Sequence, residues 1–472
     1  MSKLIKLGLR GNILNIIRSM YSSVKSRVKT YCSSSSEPVL SDSINCMLGV
    51  RQGECLSPFL FSMFLNDIED EFMHNGLKGI DVNMFKIFLI LYADDIVIFA
   101  NSSDELQKSL NLLYDYCQRW KLVVNTNKTK IMIFRKGGRI SQRLNFYYNN
   151  SNIEIVSKFC YLGIVFTSGG SFAEAQSTLS GQALKAIFKL KKYLYKFTHI
   201  SVKDKLDLFD KLILPILNYG NQIWGFNPGK AIERVHLQFC KNILGVKKTT
   251  STDFVYGELG RMPLQNRRFY DIIKFWIKLL FQSEQKYTKK VYLLLKSDLD
   301  EHPNVKNWCS MLRDMLGNLG FYEAWLFQDV GDSKTFLSFV KQRIKDNFIQ
   351  NWNGRISNMS RSYLYTHMSC FQFQTYLDIL MIDKFRTSFT KLRVSSHRLF
   401  IETGRWEKPN SIPLDERLCT NCNVLEDEFH FVCECIFYND LRRTYIPKYY
   451  RSRPNMAKFV ELLSCHNTII LM

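Results

Sequence analysis

At 472 residues the chain exceeds one ordinary hydrophobic core, so a compact domain with at least one appended module is expected. Lys and Arg outnumber Asp and Glu by 64 to 43, a formal +21 that favours a polyanionic partner, nucleic acid first, because phosphate contacts release condensed counterions. Met1 to Arg10 holds no apolar run of signal-peptide length, and Met84 to Ala100 is broken by Asp94 and Asp95, so neither secretion nor a membrane span is read. The 13 cysteines are scattered except for four between Cys419 and Cys435, a pattern that suits a reducing compartment with one metal cluster better than a disulfide framework.

In chain order, Leu4 to Tyr21 has apolar residues near helical spacing and predicts one amphipathic helix. Ser33 to Ser43 is polar and predicts a hairpin or loop. Ser57 and Pro58 then suit an N-cap and a first helical position, with Leu60, Phe64, Ile68 and Phe72 following as a buried stripe. Phe85 to Leu91 and Ile96 to Phe99 are strand-like and separated only by Tyr92, Ala93, Asp94 and Asp95, a hairpin with acids at its tip. Ser102 with Glu105 predicts a capping box ahead of a helix through Leu106, Leu110, Leu113, Cys117 and Trp120. Val123 to Phe134 returns to strand character. This order is an α+β arrangement, helices packed on a small antiparallel sheet. Beyond Ser171 the pattern is mostly helical to about Phe400, and Pro409 to Pro413 makes a plausible linker into the cysteine cluster.

Adjacent carboxylates at a tight turn repel and are costly to desolvate, and a divalent cation compensates both effects. Magnesium takes hard oxygen ligands and leaves room for substrate phosphates, as two-metal nucleotidyl transfer requires. Taken alone, Asp94-Asp95 is also ordinary polar turn chemistry. Upstream lies Gly49-Val50-Arg51-Gln52-Gly53-Glu54-Cys55-Leu56-Ser57-Pro58, a glycine-flanked basic loop, in which Gly53 lets backbone approach a ligand closely. Downstream come Asn125 with Lys128, Thr129 and Lys130, then Phe159-Cys160-Tyr161-Leu162-Gly163.

These four motifs, in this order, resemble consecutive motifs of reverse transcriptases from retrotransposons without long terminal repeats (LINE-type, non-LTR). The resemblance implies an RNA-directed DNA polymerase. Asp94 is then a direct Mg²⁺ ligand, Asp95 a weaker or second-sphere one, and Tyr92 lies beside the primer terminus. Arg51, Gln52 and Gly53 would meet template or nucleotide, Lys128 the incoming triphosphate, and Tyr161, Leu162 and Gly163 the primer end. The implied partners are an RNA template, a DNA primer or hybrid duplex and deoxynucleoside triphosphates, with no membrane; nucleus and cytoplasm are the implied locations, and the oligomeric state is left open. In this family another catalytic aspartate sits on an apolar strand before the loop motif, but only Glu37 and Asp42 precede Gly49, both in the polar stretch. The expectation is a chain without its first catalytic aspartate and fingers, its two-metal site incomplete, and inactive by itself. A non-catalytic nucleic-acid-binding remnant is the alternative.

The same resemblance divides the chain into a partial palm over 1–170, a helical thumb over 171–250, a helical region over 251–400 and a zinc module over 401–472. Lys185, Lys189, Lys192 and Lys196 follow spacings of four, three and four, one cationic face of a helix whose other side carries Leu184, Ile187, Phe188, Leu190 and Leu194. That face suits a duplex backbone or is simply solvated. Cys419, Cys422, His430 and Cys435 are spaced for tetrahedral structural Zn²⁺, with Cys433 competing as the fourth ligand. The similarity of Glu426 to Cys435 to the family's C-terminal cysteine-histidine motif favours Cys435. In the helical region, Trp276, Trp308 and Trp352 read as core residues or base platforms.

Overall fold

A computed structural model describes residues 1–31, 38–46, 49–82, 85–135, 137–138, 144–194, 200–361, 363–407 and 409–464, with residue 194 described by its backbone alone. The chain forms two compact units, Met1–Ser157 and Lys158–Met472.

The first unit opens with two helices, Ser2–Lys6 and Gly11–Ser22, where the sequence pattern suggests one. Gly8 adopts φ 89°, and the amides of Gly8 and Leu9 donate to the carbonyls of Ile5 and Leu4. That is a Schellman stop, which a glycine favours and which ends the first helix before the apolar period does. Val24–Ser26 pairs with Ile44–Cys46 and Lys29–Tyr31 with Pro38–Leu40, so paired strands reach into the polar stretch; 32–37 lies outside the described residues. The next helix, Leu56–Leu65, begins before Ser57, which is buried inside the first turn and holds the Glu54 carboxylate at 3.4 Å instead of capping. It pauses and resumes as Ile68–His74, and the buried stripe is Leu65, Ile68 and Phe72.

Ile80–Val82 pairs with Phe85–Ile87, and Leu89–Tyr92 with Asp95–Ile98, so the first expected strand divides at the buried Phe88. Ser102 caps the helix Ser103–Trp120 by accepting the Glu105 amide. Glu105 does not close the capping box: its carboxylate accepts the amides of Lys78 and Gly79 at 2.9 and 2.6 Å. Val123 to Phe134 is not a strand. Asn125 accepts the Lys128 and Thr129 amides and turns the chain, leaving one parallel bridge, Ile131 to Ile155. Leu65, Phe72, Leu110, Leu113 and Tyr116 pack under Phe88 and Leu89, an α+β core with the acidic hairpin against helices.

The second unit starts with a hairpin, Lys158–Tyr161 against Ile164–Thr167, and among the described residues is helical thereafter apart from loops and one short bridge. Its main core joins Leu179, Phe209, Phe239 and Leu264 to Tyr376 and Leu380, so residues before and after 250 share one interior. Trp276 lies in an adjoining core and Trp352 in a smaller one; both are fully buried, and the half-buried Trp308 donates its indole N–H to the Gln222 carbonyl. All three are core residues rather than open platforms.

Candidate active site, thumb face and metal centre

The hairpin tip is a two-residue turn. Tyr92 pairs with Asp95, Ala93 and Asp94 form the turn, and both carboxylates are exposed beside an exposed Tyr92 ring. Ala93 sits at φ 52°, a left-handed conformation costing an alanine about 1–2 kcal/mol. Strain of this kind concentrates at turns that position functional groups. Hard carboxylate oxygens side by side are the right donor type for Mg²⁺. Among the described residues, no third His, Cys, Asp or Glu groups with them within 4.8 Å.

In the loop ahead of Leu56, Gly49 and Gly53 adopt φ 88° and 85°, and a Cβ at either would meet no protein atom within 4 Å. Backbone conformation, not packing, is what selects glycine there. Arg51 is tied down: its Nη2 donates to the Met20 carbonyl at 2.9 Å, while Glu54 accepts from Tyr21 at 2.6 Å. That hydrogen bond to Glu54 is the chief cause holding the Tyr21 hydroxyl above its ordinary pKa. Gln52 is exposed, as is Lys128 on the turn that Asn125 organises.

A buried lysine secures this unit. The Lys3 ammonium contacts the Phe64 carbonyl at 2.5 Å, Asp67 at 2.6 Å and the Tyr116 hydroxyl at 2.7 Å, and lies 3.8 Å above the Trp120 ring. Burial lowers its pKa despite Asp67. Sequence periodicity gave no hint of it, because Lys3 reads as a solvated end of a helix.

In the second unit, Leu162 and Gly163 turn the hairpin with φ 47° and 81°, as a two-residue hairpin turn with both central residues left-handed requires. The Tyr219 hydroxyl donates to the Leu162 carbonyl at 2.9 Å, and its ring leaves 3.2 Å for a Cβ at Gly163. Tyr219 thus braces the turn from 57 residues away. Lys185, Lys189 and Lys192 are all exposed on the helix Ala173–Leu194, whereas Lys196 and the Leu194 side chain lie outside the described residues. Of the expected apolar side, Ile187 is buried and Leu190 packs partly buried on the same core, whereas Leu184 and Phe188 need correction. The buried line is Ala175, Leu179, Ala183 and Ile187, while Leu184 and Phe188 are 44% and 75% exposed. At helical spacing they share the lysine face, so that face is mixed aromatic and cationic.

Cys419, Cys422, His430 and Cys435 bring one ligand atom each within 4.8 Å of one another. The Cys435 sulfur is 4.0 Å from Cys419 and 3.8 Å from Cys422. Zn–S bonds of about 2.3 Å in a tetrahedron set edges of about 3.8 Å, so the sulfurs fit zinc without rearrangement. Both ring nitrogens of His430 are buried without a hydrogen-bond partner. Burial alone would raise the Cys419 thiol, but the Asn421 and Cys422 amides and His430 bring it down to about 7, within reach of the thiolate form. Cys433 instead packs with Leu364, Met368, Phe459 and Leu463, and burial pushes its thiol up to about 11.

Residues 3–166 match the family described as reverse transcriptase (RNA-dependent DNA polymerase). The chain is similar to the RNA-directed DNA polymerase from mobile element jockey of Drosophila funebris, 24% identical over 199 residues, which are 41% of this chain and 21% of that protein. It is 23% identical over 372 residues to the 115 kDa protein in type-1 retrotransposable element R1DM of Drosophila melanogaster, 75% of this chain and 31% of that one. The Pol polyprotein from type-1 retrotransposable element R2 of Popillia japonica is 25% identical over 182 residues, 37% of this chain and 24% of the relative. The chain therefore spans about a fifth to a third of the length of these relatives. By motif order and by overall similarity, residues 3–166 belong to the reverse transcriptase family, in the company of retrotransposons without long terminal repeats.

Proposed function

We propose that the chain supplies palm, thumb and zinc module (1–170, 171–250 and 401–472, with a helical region over 251–400 between the last two) of an RNA-directed DNA polymerase. The observation that carries this reading is the paired, exposed Asp94 and Asp95 on a strained two-residue hairpin within a segment matched by the reverse transcriptase family. Mg²⁺ held there would neutralise charge on the phosphates and activate the attacking oxygen. The side chains act by position. Asp94 and Asp95 present oxygen ligands, and Tyr92 flanks the primer terminus. Arg51, Gln52 and Gly53 line template and nucleotide, and Lys128 faces the triphosphate. Tyr161, Leu162 and Gly163, braced by Tyr219, hold the primer strand. Lys185, Lys189 and Lys192 meet duplex phosphates with Leu184 and Phe188 between them. Zn²⁺ on Cys419, Cys422, His430 and Cys435 is structural, since four protein ligands leave no open position. The proposed locations are nucleus and cytoplasm; no helix among the described residues is long and apolar enough to cross a membrane.

A second reading, nucleic-acid binding without polymerisation, is favoured by the absence of a third acidic ligand near Asp94 and Asp95 among the described residues. Primer extension on RNA with Mg²⁺ separates the two, comparing this chain with a version extended upstream by an acid-bearing strand. Extension by the longer form, abolished by Asp94→Asn, establishes the polymerase. Extension by neither, with hybrid binding intact, establishes the binding reading. Alanine at Lys185, Lys189 and Lys192 is expected to lower the salt-dependence slope of hybrid binding by up to about 2–3, near 0.9 per phosphate contact.

A further inference from the structure

We propose that a recess ahead of the cysteine-histidine cluster binds one backbone phosphate of a single-stranded nucleic acid, with the neighbouring unpaired base stacked on Trp406. The recess, about 100 Å³, lies within the second unit and is lined by Lys247, Thr249, Arg361, Ser396, Glu402 and Trp406 among others. That volume suits a phosphate group and is too small for a whole nucleotide, so sugar and base must lie outside it.

Its charge is positive. Glu402 is the carboxylate of the lining, and it already serves two guanidiniums, Arg361 at 2.6 Å and Arg405 at 3.1 Å. Lys247 has no carboxylate partner among the described residues; its ammonium is fixed by the His397 carbonyl at 2.7 Å. Hydroxyls complete the lining. Ser396 accepts the Lys247 amide at 3.0 Å and the Thr250 hydroxyl at 2.9 Å, which leaves its own proton free to be donated, and Thr249 is exposed. Fixed cations with hydroxyl donors are the chemistry that recognises a phosphodiester oxygen.

Trp406 decides what kind of phosphate. It is 63% exposed, unlike the buried Trp276 and Trp352, and the Arg361 guanidinium lies 5.5 Å from its ring centroid. An indole held against a guanidinium and otherwise open to solvent is a stacking platform, and a base stacked on such a ring is worth about 1–3 kcal/mol. A duplex keeps its bases inside the stack, so an unpaired strand is the occupant that uses both features.

The test uses the full chain and a fluorescently labelled eight-nucleotide RNA of mixed sequence, read by anisotropy. Trp406→Ala is expected to weaken binding about 5- to 160-fold, from the stacking range above, and Trp406→Phe to restore most of it. Thr249→Glu, at an exposed position where folding is not at stake, is expected to weaken binding and lower the salt slope by about 0.7, one single-strand phosphate contact. With an abasic strand of the same length, Trp406→Ala is expected to change nothing while Thr249→Glu still weakens binding. Affinity for an RNA–DNA duplex, measured in parallel, is expected to stay within twofold in every variant, which separates this site from the polymerase reading. Unchanged single-strand affinity in Trp406→Ala and Thr249→Glu overturns the proposal. So does a phosphopeptide that competes as well as the RNA, because the occupant is then a protein.

Discussion

Glu258 and Arg393 form a fully buried ion pair at the centre of the second unit, and removing one partner is the sharpest test of how that unit is held. Arg393 donates to both Glu258 oxygens at 3.0 and 3.1 Å, to the Leu463 carbonyl at 2.9 Å and to Gln374 at 3.2 Å. It thereby ties the helices Thr252–Leu259, Asp383–Arg393 and Met456–Leu463 together. Arg393→Met keeps volume but leaves the buried Glu258 with neutral tyrosine hydroxyls, Tyr376 at 2.6 Å and Tyr365, in place of a cation. Breaking one side of a buried pair costs about 3–5 kcal/mol. At a urea slope of about 3 kcal/mol per M, the midpoint drops by about 1–1.7 M, followed by fluorescence of the buried Trp276 and Trp352. Glu258→Leu together with Arg393→Met is expected to recover most of the loss, since apolar replacement of a whole buried pair is often neutral. Tyr376 keeps Thr390 as a partner at 3.0 Å in that double variant. A midpoint shift below about 0.2 M for Arg393→Met, or a double variant as unstable as the sum of the singles, would refute the reasoning.

Three further outcomes follow from the sites. Cys435→Ser is expected to abolish bound zinc, measured as metal per chain after dialysis, whereas Cys433→Ser keeps the metal and costs about 1–3 kcal/mol by burying a hydroxyl; equal zinc loss in both would show that the quartet is misassigned. Burial alone would raise the Asp67 carboxyl, but Lys3 and Tyr116 hold it below the usual range. A depressed folded-state pKa means the stabilisation is present above the unfolded value near 4 and is lost as pH falls through the folded one. Hydrogen exchange of Ser103–Trp120 should therefore accelerate below about pH 4 in the parent, with a flatter acid limb in Asp67→Asn, and identical limbs would exclude the linkage. Ala93→Gly relieves the left-handed strain and is expected to stabilise the first unit by about 0.5–1 kcal/mol after glycine's entropy cost, read as a urea midpoint; a loss of stability would mean that Ala93 is not strained.

What the sequence disclosed was local, and what it concealed depended on partners far along the chain. The acidic hairpin was readable because two short, nearly continuous apolar runs flank a turn too short for other uses, and the quartet of Cys419, Cys422, His430 and Cys435 because its spacing spans 17 residues. Cys433 and Cys435 could not be separated by spacing. The distinction arises because Cys433 turns toward Phe459 and Leu463, brought back by a later helix. Leu184 and Phe188 read with Ile187 as one apolar side, yet the buried line runs Ala175, Leu179, Ala183, Ile187, and its two alanines carry little hydrophobic signal to mark the true direction of that line. Val123 to Phe134 has strand composition, but Asn125 takes the Lys128 amide on its side-chain oxygen and the Lys128 and Thr129 amides on its carbonyl, and this turn wins over the ladder. Trp406 shows the limit most clearly. Beside Lys247, Arg361 and Ser396 it lines a recess, yet these residues are separated by 159, 45 and 10 positions, and no one-dimensional pattern joins them. A site assembled from such separations becomes visible only when the fold has fixed which charges share a carboxylate and which aromatic ring remains uncovered.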